Sequence, residues 1–204
     1  MRITGLGTAL VTPFTETGKV DEAALRRILD RQIEAKVDFL VVLGTTGEAA
    51  TMTPREQAFV RKMVAEHVAG RVPLVLGVGG NCTQVVVERL GLRREELKRD
   101  YAAILSVCPY YNKPQQEGLY RHFAAIAEAS VVPVILYNVP GRTGVNMLPE
   151  TVLRLAAAYP HQIIGVKEAS GKQEQIETII RRTRGSEFVV LSGDDGLTIP
   201  LMMA

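Results

Sequence analysis

The segment Gln162-Ile163-Ile164-Gly165-Val166-Lys167 is the most informative part of the sequence for the fold. This short apolar run predicts a β-strand over 162–166, with Lys167 at its carboxyl end. Two earlier runs end in the same way, 39–43 before the loop 44–48 and 134–136 before Tyr137. Because the carboxyl ends of parallel strands meet at one edge of a sheet, we expect an amine, a phenol and threonine hydroxyls at a common rim.

Apolar, β-branched runs alternate with longer segments of helical period along the whole sequence. Strands are predicted at about 6–11, 38–43, 73–78, 102–107, 133–137, 162–166 and 187–191. Helices are predicted to start near 21, 54, 83, 116, 149, 172 and 195. The strands are continuously apolar, as expected when both faces of a parallel sheet are buried. The pattern predicts an α/β fold, the (β/α)8 TIM barrel, as one domain over residues 1–204.

A barrel of this kind usually needs about 250 residues, and these repeats stop before an eighth strand. We therefore expect the chain to be a truncated barrel that lacks the eighth strand and the following helices, cut in the seventh helix at Ala204. A doubly wound open sheet is the alternative. The first strand is followed by no glycine-rich dinucleotide fingerprint, which disfavours that alternative.

The composition is that of a globular protein with small-molecule partners. The chain has 47% hydrophobic and 23% charged residues and a net charge of +2, so no broad basic surface is expected to attract nucleic acid or a membrane. The apolar runs are shorter than the roughly 18 residues of a membrane span, and we expect a cytoplasmic location. The three histidines and two cysteines lack ligand spacing, so no metal site is predicted.

Lys167 is the candidate nucleophile. Desolvation in a barrel mouth can lower the pKa of a lysine from about 10.4 toward roughly 7–8, and the neutral amine can form a Schiff base with a 2-oxo acid without a cofactor. Tyr137 could pass protons, with Thr45 bonded to it in a hydroxyl chain. The alternative interpretations are a solvated lysine at a strand end and a tyrosine that caps the core.

Three loops offer further binding groups. Gly44-Thr45-Thr46-Gly47-Glu48 combines free backbone N–H groups with hydroxyls, which suits a carboxylate or, in a phosphate-binding barrel, a phosphate. Arg142 is a planar double donor suited to a second carboxylate, or else an exposed arginine in a turn. Tyr110 and Tyr111, between two prolines, could stack or lie in an interface.

Five segments together carry a resemblance that covers the whole chain. They are Gly44-Thr45-Thr46-Gly47-Glu48, Pro109-Tyr110-Tyr111-Asn112-Lys113-Pro114, Tyr137-Asn138-Val139-Pro140-Gly141-Arg142-Thr143-Gly144, Gly165-Val166-Lys167-Glu168-Ala169 and Ser192-Gly193-Asp194-Asp195. Their order and spacing resemble the dihydrodipicolinate synthase and N-acetylneuraminate lyase family of class I aldolases. The resemblance implies a lyase of lysine and diaminopimelate biosynthesis that condenses pyruvate with aspartate semialdehyde to 4-hydroxy-tetrahydrodipicolinate.

The resemblance also implies roles for individual residues. Lys167 matches the Schiff-base lysine, and Tyr137 matches the central tyrosine of the proton relay, which Thr45 joins. Thr46 belongs with Thr45 to the loop that holds the pyruvate carboxylate.

Three further positions match family residues. Tyr111 matches a tyrosine that crosses into the neighbouring subunit's site, so a homo-oligomer, a dimer of dimers, is implied. Arg142 matches the arginine that grips the carboxylate of aspartate semialdehyde. Gly193 falls among the substrate-binding positions.

Two alternatives remain open for function. The chain could be another class I 2-oxo acid aldolase of the same family. It could also be a noncatalytic barrel, or an inactive barrel fragment, that only binds a 2-oxo acid or assembles with partners. The segment 88–100 is longer than the family pattern, and we expect its charged run to lengthen a solvated helix face.

Overall fold

The computed structural model describes residues 3–204. Seven parallel strands form one sheet whose spatial order follows the sequence from the first strand to the seventh. The strands are β1 (Gly7–Ala9), β2 (Phe39–Val42), β3 (Leu74–Gly77), β4 (Ala103–Val107), β5 (Val134–Asn138), β6 (Ile163–Glu168) and β7 (Val189–Ser192). A doubly wound sheet would reverse its strand order at a switch point, so the observed order excludes that alternative.

Helices connect successive strands, and a further helix follows β7. They are α1 (Glu22–Glu34), α2 (Pro54–Val68), α3 (Thr83–Leu92), α4 (Arg94–Asp100), α5 (Gln116–Ala129), α6 (Pro140–Thr143), α7 (Pro149–Ala158), α8 (Gln173–Thr183) and α9 (Asp195–Met202). Repeated parallel β-strand and α-helix units in sequential order are the arrangement of a curled (β/α) barrel wall, as predicted.

Side chains of the strands alternate between two apolar layers. One face carries residues such as Leu40, Leu76 and Leu136, which pack with helix residues in the larger buried cluster. The other carries Val41, Leu105 and Ile135, which form a separate inner cluster. Each large side chain that is fully buried in these layers contributes about 1.5–3 kcal/mol of transfer free energy.

Local signals explain where several elements begin. Thr53 caps α2 through a capping box with Glu56, and Pro54 is its first helical residue. Asp194 caps α9, because its carboxylate accepts a hydrogen bond of 3.0 Å from the Gly196 N–H. The predicted starts of these helices are confirmed.

Two sequence expectations need correction. β6 continues through Glu168, so Lys167 is a strand residue and does not follow the strand. The charged run within 88–100 is predicted to lengthen a helix face, but the structure breaks the helix at Arg93 into α3 and α4. Within residues 3–204, no helix combines the length and the apolar character of a membrane span.

Candidate active site

Lys167 and Tyr137 lie side by side on neighbouring strands. They are register partners in the β5–β6 pair, and the Lys167 Nζ lies 4.8 Å from the centre of the Tyr137 ring. Tyr137 is buried and belongs to the inner cluster. Burial lowers the pKa of the half-buried Lys167 amine, while the nearby charge of Asp195 acts in the opposite direction. The site therefore holds an amine that loses its proton more readily than a solvated lysine does.

Gly193 lies against this amine from the end of β7. A Cβ at Gly193 would stand 3.0 Å from the Lys167 Cε and 2.9 Å from the Ala169 Cβ. The Gly193 N–H also donates a hydrogen bond of 2.7 Å to the Glu168 carbonyl, which holds the two strand ends together. The absence of a side chain at Gly193 thus provides the space that the Lys167 side chain occupies.

The loop 44–48 folds as a tight turn at the carboxyl end of β2. Thr45–Gly47 forms one turn of 3-10 helix, and Glu48 follows in the left-handed region with a φ of 55°. The Thr12 hydroxyl donates to the Gly47 carbonyl at 2.7 Å, which fixes the turn against the start of the chain. Thr45 and Thr46 are both exposed at this turn, so their hydroxyls are available to a ligand.

A cavity of about 600 Å³ joins this turn to the other candidate groups. Thr45, Tyr137 and Arg142 all line it, the last from the short helix α6. Lys167 does not line the cavity. Its Nζ does lie close to the ring of Tyr137, which is a lining residue. Residues 3–204 contain no hydrogen bond between the Thr45 and Tyr137 hydroxyls, and such catalytic bonds often tighten only when a substrate binds.

Tyr111 is not part of this arrangement. Its side chain is 89% exposed, it is absent from the cavity lining, and its φ of 75° is uncommon for an aromatic residue. The protein holds this tyrosine in a strained, outward position on the loop after β4.

A buried polar network behind the rim was not predicted from the sequence. Glu168 is fully buried, and its Oε1 accepts hydrogen bonds from Asn138 at 2.9 Å and from Gln175 at 3.4 Å. Asn138 Oδ1 in turn accepts from the Met147 N–H at 3.0 Å. Burial raises the pKa of Glu168, against the lowering effect of its hydrogen bonds. The network ties β5 and β6 to the segment after α6, which carries Arg142.

The sequence did contain a signal for this network. Asn138 and Glu168 each follow a predicted rim residue, Tyr137 and Lys167, so period-two alternation places them on the helix-facing side of the sheet. Two polar residues at register-paired positions of an apolar layer predict a buried hydrogen-bonded pair.

Metal-binding side chains do not converge at the rim. Residues 3–204 contain no group of three or more His, Cys, Asp and Glu side chains placed to hold a metal ion. Instead, a phenol, a hydroxyl and a guanidinium line one cavity, and the Lys167 amine lies beside the phenol ring. These groups suit covalent capture of a carbonyl compound bearing carboxylates.

Comparisons with known proteins agree with this geometry. The model of the dihydrodipicolinate synthetase family matches residues 2–204. The 4-hydroxy-tetrahydrodipicolinate synthase of Parabacteroides distasonis is 52% identical over 202 residues, which are 99% of this chain and 66% of that protein. The protein of the same name from Phocaeicola vulgatus is 50% identical over 201 residues, 98% of this chain and 66% of its own length.

Solved structures give the same picture. Dihydrodipicolinate synthase from Aquifex aeolicus superposes with a TM-score of 0.89 at 39% identity, over 97% of this chain and 66% of that one. The 4-hydroxy-tetrahydrodipicolinate synthase of Methylacidiphilum fumariolicum SolV gives a TM-score of 0.91 at 40% identity, over 99% of this chain and 65% of that one. The chain thus spans just under two thirds of the length of these proteins, and it belongs to the dihydrodipicolinate synthetase family.

Proposed function

We propose that this protein acts as a 4-hydroxy-tetrahydrodipicolinate synthase, which condenses pyruvate with aspartate semialdehyde through an imine on Lys167. The observation that carries the proposal is the half-buried Lys167 amine beside Tyr137, with its pKa lowered by burial. The names of relatives about 50% identical over nearly the whole chain support the same activity.

The first half of the proposed reaction activates pyruvate. The pyruvate carboxylate binds at the turn of Thr45 and Thr46, and the neutral Lys167 amine attacks the ketone carbon. Loss of water gives an iminium, which acidifies the adjacent methyl group and yields an enamine. Because the iminium itself accepts the electrons, this route uses no cofactor.

The second half joins the two substrates. The enamine carbon attacks the aldehyde of aspartate semialdehyde, and the product's own amine then displaces Lys167 and closes a six-membered ring. Tyr137 and Thr45 hydroxyls carry the protons that these steps release and consume. Their position at one cavity supports this role.

Arg142 is the residue proposed to select aspartate semialdehyde. Its guanidinium lines the cavity shared with Tyr137, and a forked guanidinium can bind a carboxylate with two hydrogen bonds. Such charge-assisted bonds are worth about 1.5–3 kcal/mol, or roughly 10- to 100-fold in binding.

Replacement of Arg142 tests this assignment. Arg142→Ala is expected to raise KM for aspartate semialdehyde by at least about tenfold while pyruvate capture at Lys167 is retained. Arg154→Ala, at an exposed arginine that pairs with Glu117, serves as the control. Full synthase activity in Arg142→Ala, or a preference of the unaltered protein for sugar-derived aldehydes, would favour another 2-oxo acid aldolase.

Tyr111 is proposed to act in a neighbouring subunit of a homo-oligomer. Its exposure and its strained backbone support a function that a single chain does not satisfy. One solved relative, with a TM-score of 0.89, is described as the first monomeric dihydrodipicolinate synthase variant, so assembly varies among similar proteins.

Subunit mixing tests the role of Tyr111. Tyr111→Phe and Lys167→Ala proteins, each weakly active alone, are expected to regain activity when mixed, because one hybrid site then contains both Lys167 and a tyrosine from the other chain. No gain on mixing, in a preparation whose oligomeric mass shows subunit exchange, would contradict a contribution across subunits.

A further inference from the structure

A cluster of arginines lies where α2 meets α3 and α4. Arg61 of α2 is only 7% exposed, and its Nε donates to Glu96 Oε1 at 2.7 Å. Its Nη1 is buried and finds no hydrogen-bond acceptor within residues 3–204. A buried donor without an acceptor is costly, so this place has more donor capacity than the protein satisfies.

Arg93 adds a second charge to the same place. It stands at the break between α3 and α4 and is half-buried, and neither an ion pair nor a side-chain hydrogen bond is found for it in the described part of the chain. Burial is the largest cause that lowers the pKa of Arg93. The neighbouring charges of Arg61 and Arg89 also lower it, whereas Glu96 raises it. Arg93 thus has two arginines and one carboxylate among its charged neighbours, and that carboxylate, Glu96, is already paired with Arg61. Arg61, Arg89 and Arg93 are called the arginine cluster.

Other charged side chains nearby already have partners. Arg99 pairs with Asp100 at 2.7 Å, and Lys62 lies 3.8 Å from Glu66 on the exposed groove between α2 and α4. These pairs leave little carboxylate charge to balance the arginine cluster.

Two members of the cluster face the cavity that contains the rim residues, whereas Arg61 lines the neighbouring groove between α2 and α4. Arg89 and Arg93 line the cavity on the side formed by α2 and α3, together with Pro54 and Gln57. None of the residues that line the cavity is an aspartate or a glutamate. At about 600 Å³, the cavity lies within the roughly 300–1,000 Å³ that small-molecule sites occupy.

We propose that the arginine cluster is a binding site for a small dianion, a phosphate monoester or a dicarboxylate, held by the guanidiniums of Arg89 and Arg93. A dianion would balance the excess of two positive charges, and the planar guanidinium is the side chain best suited to phosphate and carboxylate oxygens. The site uses neither Lys167 nor Arg142, so it does not depend on the proposed aldol reaction.

Calorimetric titration with inorganic phosphate and with succinate tests the site. Arg93→Ala is expected to weaken binding of at least one of these anions by roughly tenfold or more, whereas Arg94→Ala, at the adjacent exposed arginine that starts α4, should leave it unchanged. Binding should also weaken as sodium chloride is added, because salt screens the attraction.

Three results would overturn the proposal. They are failure of both dianions to bind the unaltered protein, equal losses in the Arg93 and Arg94 variants, and binding of acetate as tight as that of the dianions. Should Arg93→Ala not fold, as judged by its circular dichroism spectrum, Arg89→Ala replaces it, since Arg89 is exposed. Retention of full dianion affinity in Arg89→Ala would equally refute the site.

Discussion

Gly193→Ala is the substitution that most directly probes the packing of Lys167. The added Cβ would stand 2.9 Å from the Ala169 Cβ and 3.0 Å from the Lys167 Cε, whereas carbon atoms normally approach to about 3.5–4.0 Å. The Ala169 Cβ cannot rotate away, and the 2.7 Å bond from Gly193 N–H to the Glu168 carbonyl resists separation of the strand ends. The Lys167 side chain must therefore move by roughly 0.5–1 Å.

The expected magnitudes follow from this overlap. Overpacking of this kind costs about 1–3 kcal/mol of stability, and a displacement near 1 Å at a reacting group can slow a reaction about 10²-fold. Thermal unfolding measures the first effect. The rate at which borohydride traps pyruvate on the protein measures the second.

Gly91→Ala provides the matched control. Gly91 lies in α3, and a Cβ there would meet nothing within 4 Å. Alanine at such a helical position is expected to raise stability by about 0.5–1 kcal/mol and to leave trapping unchanged. If Gly193→Ala has the same unfolding temperature and the same rate of pyruvate trapping as the unaltered protein, Lys167 does not occupy the space beside Gly193.

Two predictions concern pH. Burial raises the pKa of Glu168, so its contribution to stability is present in acid and is lost as pH rises through the folded-state pKa. The unfolding free energy of Glu168→Gln should therefore equal that of the unaltered protein near pH 4 and exceed it at pH 8. A lower unfolding free energy for the variant at pH 8 would contradict this assignment. Burial lowers the pKa of His122 from 6.5 to about 4, so up to about 3 kcal/mol of stability should be lost as pH falls between these values. His122→Asn should remove that loss in denaturant titrations, and His161→Asn, at an exposed histidine, should not; equal curves for the two variants would refute the assignment.

Most of the fold can be predicted from the strand pattern of the sequence. Short continuous apolar runs specify the strands, and Thr53 with Pro54 marks the start of α2 by local capping chemistry. The rim position of Lys167 and Tyr137 follows from the parallel arrangement, although the strand extends one residue beyond Lys167. The break at Arg93 lies in a run of continuous helix formers, where only Gly91 signals a weak point.

Contacts between distant segments are what the sequence pattern does not reveal. The acceptor of Arg61 lies 35 residues away in α4, and Gln175 reaches Glu168 from α8. No local propensity encodes which helices meet, so the buried network and the arginine cluster emerge only from tertiary packing. The outward position of Tyr111 and its positive φ are likewise not visible in the sequence pattern.

Borohydride reduction in the presence of pyruvate, followed by peptide mass mapping, shows whether Lys167 captures a ketone covalently. We expect one reduced pyruvyl adduct on the peptide that contains Lys167 and none on exposed Lys172, five positions along the chain. Because burial lowers the pKa of Lys167, trapping should persist at a pH at which ordinary lysines are fully protonated. An unmodified Lys167, or an adduct spread evenly over exposed lysines, would refute covalent capture at this residue.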